Sequence, residues 1–105
     1  MKSKTPKILV LTAVTLLLVI AGDSLATDYR PAMLANPCAG CHGTDGISPG
    51  PTPTLQGLPS DYIVSTMKAF KTDKRKGTVM NRIAKGYTDE EIELMAKHFE
   101  TVRSK

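Results

Sequence analysis

The sequence predicts an all-α fold. Two segments carry apolar residues at helical spacing, Ile63, Val64, Met67 and Phe70 in one and Ile92, Met95, Ala96, Phe99 and Val102 in the other. No segment sustains the period-two alternation of a half-buried strand. The longest irregular stretch, Thr44–Pro59, is rich in Gly and Pro, which neither a helix interior nor a central strand tolerates.

Each element follows in order. Asp28–Asn36 reads as a short helix, with Pro31 suited to its first turn and Met33 and Leu34 as its apolar residues. The loop Thr44–Pro59 comes next. A helix is expected from Pro59-Ser60-Asp61, ending by Gly77 with Lys74, Arg75 and Lys76 near its carboxyl end. Thr78–Tyr87 reads as a loop with a short turn. The last helix has the clearest start, because Thr88-Asp89-Glu90-Glu91 is a capping box that sets acids at the positive end of the helix dipole.

Length and composition narrow the function. The chain has 105 residues, 41% hydrophobic, with two Cys, no Trp and a net charge of +4. That suits one small domain and excludes a Rossmann enzyme or a barrel. Lys2, Lys4 and Lys7 precede an uncharged run from Ile8 to Gly22, and small residues stand at Ser24 and Ala26. This is the layout of a secretory signal peptide cleaved after Ala26; the run is shorter than the roughly 20 residues of a membrane span. An uncleaved anchor is the alternative. Cleavage leaves residues 27–105 as the domain, exported and without a membrane span. Its charge is then +2, since three Lys and one Asp go with the leader. Nothing in that charge argues for nucleic acid.

A domain this small needs a staple, and two cysteines make no disulfide framework. Cys38-Ala39-Gly40-Cys41-His42 is C-x-x-C-H, the signature of c-type haem attachment. Two cysteines three apart reach the two vinyl groups of one porphyrin, and the adjacent His ligates the iron. A thioredoxin-like pair lacks its βαβ context, structural zinc lacks four suitable ligands, and a plain disulfide leaves His42 unexplained. The iron's sixth ligand is expected to be Met80, in the segment after the second helix. Met67 and Met95 lie on core stripes, and Met33 lies too near the attachment site. Met67, His98 and an open position remain the alternatives. No Ser/His/Asp set, second metal cluster or phosphate loop accompanies the motif, so one-electron transfer is the expected chemistry. Lys68, Lys71, Lys74, Arg75 and Lys76 form one basic cluster. It reads first as a solvated helix face and second as a docking patch for an acidic partner.

Over the whole mature chain, residues 27–105, the sequence resembles class I cytochromes c. The likeness comprises C-x-x-C-H, Pro53-Thr54-Leu55-Gln56-Gly57, the Asp61-Tyr62-Ile63 helix start, a Met segment and a capped last helix. It implies three main helices around one covalent haem, with the terminal helices crossing near the attachment site. It also implies that the Pro53 carbonyl accepts the imidazole proton of His42. ANPCAGCHGTDG and the MNRIAKGY stretch are similar to the haem domain of cytochrome subunits of flavocytochrome c sulfide dehydrogenases, and to small cytochromes c-553. Asn81 departs from the Met-Pro common in the wider class. By this likeness the partner is a flavoprotein subunit that oxidises sulfide, or another redox protein served by a free periplasmic carrier.

Overall fold

The structure, a computed structural model, describes residues 28–102; the expected leader over residues 1–26 lies outside the described residues. Helices α1 (Arg30–Ala35), α2 (Ala39–His42), α3 (Ser60–Lys71), α4 (Met80–Lys85) and α5 (Asp89–Thr101) make the domain, with 3₁₀ turns at Asn36–Cys38 and Thr44–Gly46. No strand occurs among the described residues.

The two terminal helices pack together: α1 lies on α5, while α3 packs on both α4 and α5. The core between them is Ala35, Ile63, Met67, Ala84, Ile92, Met95, Ala96 and Phe99. Every residue named on the α5 stripe except Val102 lies in it. Removing a side chain such as Ile92 from water is worth about 1.5–3 kcal/mol. The start of α5 is fixed by the reciprocal pair that its sequence announces. Glu91 N donates to Thr88 Oγ1 at 3.1 Å, and Thr88 N donates to Glu91 Oε2 at 2.9 Å. Ser60 N donates to Glu100 Oε1 at 3.0 Å, which ties the start of α3 to the end of α5.

Two boundaries differ from the sequence reading. Helix α3 stops at Lys71, short of Gly77, because Asp73 turns into the left-handed region with φ 58°. Asp tolerates that conformation better than most residues. The connecting segment Thr78–Tyr87 is largely helical, and Met80 is the first residue of α4 rather than part of a loop. Its signal is short but present: Met80, Ile83, Ala84 and Tyr87 stand at i, i+3, i+4 and i+7. Ala84 is fully buried by α4 packing on α3.

Candidate haem site

The attachment motif is built on one continuous turn. The 3₁₀ turn Asn36–Cys38 runs directly into α2, so Cys38 ends one and Cys41 lies within the other. Neither cysteine is in a disulfide; Cys38 is half-buried and Cys41 exposed. Burial pushes the Cys38 thiol above its ordinary range. Burial likewise raises the Tyr87 phenol above its ordinary range. Its hydroxyl donates to Leu34 O at 3.4 Å, linking the end of α4 to α1.

His42 closes α2 and is buried, 9% exposed. Its Nδ1 lies 2.6 Å from Pro53 O. A carbonyl only accepts, so the imidazole proton sits on Nδ1 and Nε2 keeps its lone pair for a metal. The chain reaches Pro53 by reversing at Gly43, where φ is 83°. A Cβ there would fall 1.8 Å from Ile47 O, so only glycine fits the reversal. The rest of the loop hangs on Gly46, whose carbonyl accepts from Leu55 N at 2.8 Å and Gln56 N at 3.2 Å. Gly57 N then donates to Phe99 O at 2.9 Å and fastens the loop to α5.

Met80 is half-buried against the core, as are Cys38, Leu34, Leu55, Leu58, Val64, Phe70 and Tyr87. Of the other candidates, Met67 and Met95 are buried core residues, and Met33 is 72% exposed. His98 flanks Phe99 edge to face, with ring centroids 5.5 Å apart. Three of the five residues of the basic cluster make contacts within the domain. Lys68 lies 3.6 Å from Asp89 and 3.5 Å from Glu93. Lys71 lies 2.9 Å from Asp89, and the Arg75 guanidinium stacks 5.1 Å from the Phe70 ring centre.

Three residues of this region escaped sequence reasoning. Tyr87 joins α4 to α1, and Asn81 binds four groups of the preceding segment. Gln56 Nε2 is buried without a partner, beside the Pro53 segment. Only the Asn81 departure from Met-Pro was visible in the sequence, and it did not announce its hydrogen bonds.

A small helical domain with C-x-x-C-H on one turn, and the adjacent His buried with its Nδ1 proton engaged, has the form of a c-type cytochrome. The chain belongs to the cytochrome c family, whose model matches residues 31–103. It is 46% identical over 79 residues to the cytochrome subunit of sulfide dehydrogenase of Chlorobaculum tepidum, covering 75% of this chain and 72% of that one. It is 37% identical over 85 residues to cytochrome c-553 of Desulfomicrobium norvegicum, 77% of this chain and 99% of that one. A third relative is cytochrome c-554(548) of Halomonas halodenitrificans, 35% identical over 83 residues, 75% of this chain and 95% of that one.

The residues present fit a covalent haem c. The cysteines are free, the His42 tautomer leaves Nε2 available, and Ile47, Val79 and Ile83 leave apolar surface exposed. The chain is a class I cytochrome c, an electron carrier with a covalent haem c, and Cys38 and Cys41 stand at the spacing of the attachment motif. Among the described residues, no helix is long and apolar enough to cross a membrane.

Proposed function

We propose that this cytochrome carries single electrons in the periplasm with His42 and Met80 as the iron's axial ligands, as the cytochrome subunit that accepts electrons from a flavoprotein sulfide dehydrogenase. The observation that supports His42 as a ligand is the 2.6 Å contact of its Nδ1 with Pro53 O, which leaves the Nε2 lone pair free, and Met80 is half-buried against the core. When bound, haem supplies the Fe(III)/Fe(II) couple. Cys38 and Cys41 would retain it through thioethers, and Met80 sulfur as a ligand would raise its potential. With His42 and Met80 both held to the iron, the chain would leave no open position for a substrate. The partner half is supported by the 46% identity to a sulfide dehydrogenase cytochrome subunit.

A free diffusible carrier is the second reading. It is favoured by cytochrome c-553 of Desulfomicrobium norvegicum, 99% of which aligns with this chain. Native purification separates the two. A flavoprotein that co-elutes at moderate salt supports the subunit; a cytochrome that elutes alone contradicts it.

A further inference from the structure

The segment 72–79 that joins α3 to α4 is exposed along its whole length. Its early backbone N–H groups still turn back to α3, with Thr72 N on Lys68 O, Asp73 N on Phe70 O and Arg75 N on Ala69 O. From Lys76 to Val79, the backbone N–H that finds a partner is Gly77 N, which donates to Asn81 Oδ1 at 2.8 Å. The same side chain serves the rest of the segment. Asn81 Nδ2 donates to Phe70 O at 3.0 Å, to Arg75 O at 2.8 Å and to Asp73 Oδ1 at 3.1 Å. Three acceptors at one end and an N–H at the other fix the amide orientation. Two N–H bonds shared among three oxygens leave no capacity unused.

Asn81 follows Met80 directly on α4, and the segment that it binds runs across Met80. A Cβ on Gly77 would lie 3.3 Å from Met80 Cβ and 2.9 Å from Phe70 Cε1. Lys85, also on α4, holds Asp73 from the other side at 2.7 Å. Apart from the Lys85–Asp73 pair, the hydrogen bonding that seats this segment on α4 converges on one amide next to Met80. Helix α3 adds the Phe70 carbonyl to that cluster and takes the first N–H groups of the segment. Loss of such a cluster opens a segment locally and leaves the remainder folded.

We propose that Asn81 is the positioning residue that holds Met80 for axial ligation, by tying segment 72–79 to the residue beside it. This rests on the reading of Met80 as the axial ligand. The amide donors are the active part. Asn81→Asp keeps the shape and the acceptor for Gly77 N but sets a carboxylate against three oxygens.

The test is imidazole titration of the ferric holoprotein, followed by loss of the far-red Met-to-iron charge-transfer absorption. Native protein, Asn81→Asp, Asn81→Ala, Met80→Ala and Thr88→Ala are compared. Both Asn81 variants should bind imidazole at least about tenfold more tightly than native, because opening the segment exposes the site at lower cost. Tenfold corresponds to about 1.4 kcal/mol, the scale of one or two net hydrogen bonds. Thr88→Ala loses a cap away from this segment. It should lower the thermal midpoint and keep imidazole affinity within about twofold of native, as distant sites do. Native affinity in both Asn81 variants overturns the proposal. If an Asn81 variant fails to retain haem, Asn81→Ser keeps one donor and one acceptor and should fall between Asn81→Asp and native; native affinity there also overturns it. Met80→Ala reads the underlying assumption separately. Survival of the far-red absorption in that variant overturns the ligand reading, whereas its loss alongside native behaviour of both Asn81 variants overturns only the role of Asn81.

Discussion

Segments 43–59 and 72–79 are both irregular, yet they are held in opposite ways. The first carries the Pro53 carbonyl to His42 and is fastened by main-chain groups: Gly46 O takes two N–H bonds, and Gly57 N reaches Phe99 O on α5. The second approaches Met80; its first N–H groups bond back to α3, and beyond them it is fastened to α4 by side chains, Asn81 with the Lys85–Asp73 pair. Main-chain fastening spreads over many residues and resists most side-chain substitutions. Side-chain fastening makes the contact with α4 depend on a few positions, Asn81 foremost. Segment 43–59 is therefore vulnerable where its backbone has no alternative, and segment 72–79 where its one amide is removed.

The largest effect breaks the first segment. Gly43→Ala sets a Cβ 1.8 Å from Ile47 O at a left-handed φ, so the backbone must move and Pro53 with it. Unfolding of the holoprotein in urea should show a loss of about 3 kcal/mol or more. A near-native midpoint would show that the reversal is softer than its geometry implies. Next comes Thr88→Ala, which touches neither segment. Losing the cap should cost about 1 kcal/mol in the same measurement, with the far-red absorption unchanged. Loss of that absorption would couple α5 to the Met80 side and weaken the contrast.

The smallest effect is a pH dependence at the edge of the second segment. Lys71 and then Lys68 hold Asp89 below the ordinary carboxylate range, and Lys85 does the same for Asp73. A depressed folded-state pKa contributes stability that is fully present above the unfolded value. That contribution is lost as pH falls through the depressed value. Both carboxylates are exposed, so the contribution is small and screened by salt. Acid titration of thermal midpoints should show a shallower decline in Asp73→Asn and Asp89→Asn than in native protein, confined to pH below the ordinary carboxylate range. An equal decline would remove these pairs from the account.

The sequence carried the candidate haem-attachment motif and less of its support. C-x-x-C-H is local, so Cys38, Cys41 and His42 could be read without a fold, and the Thr88 capping box likewise marked the start of α5. The resemblance to class I cytochromes c named Pro53 as the partner of His42, a contact across a loop that no local pattern encodes. The end of α3 was not legible. It depends on Asn81 taking Phe70 O from 11 residues away and on Asp73 turning left-handed against Lys85. Helix α4 was read as a loop because six residues with one fully buried alanine give little amphipathic signal. The basic cluster read first as a solvated helix face, and the sequence did not show that Asp89 and Glu93 of α5 pair with two of its members, Lys68 and Lys71. Charge along a sequence does not reveal what another helix sets opposite it.

The central claim is that the domain is a one-electron carrier closed on both axial sides by His42 and Met80. The most direct measurement is a redox titration of native holoprotein and Met80→Ala, with spectra taken before and after carbon monoxide is added to each reduced form at neutral pH. The account predicts a far-red charge-transfer absorption and no carbon monoxide binding in the native protein. It predicts loss of that absorption, carbon monoxide binding and a lower potential in Met80→Ala. Carbon monoxide binding by the unperturbed native protein, or an unchanged absorption and potential in Met80→Ala, would contradict it.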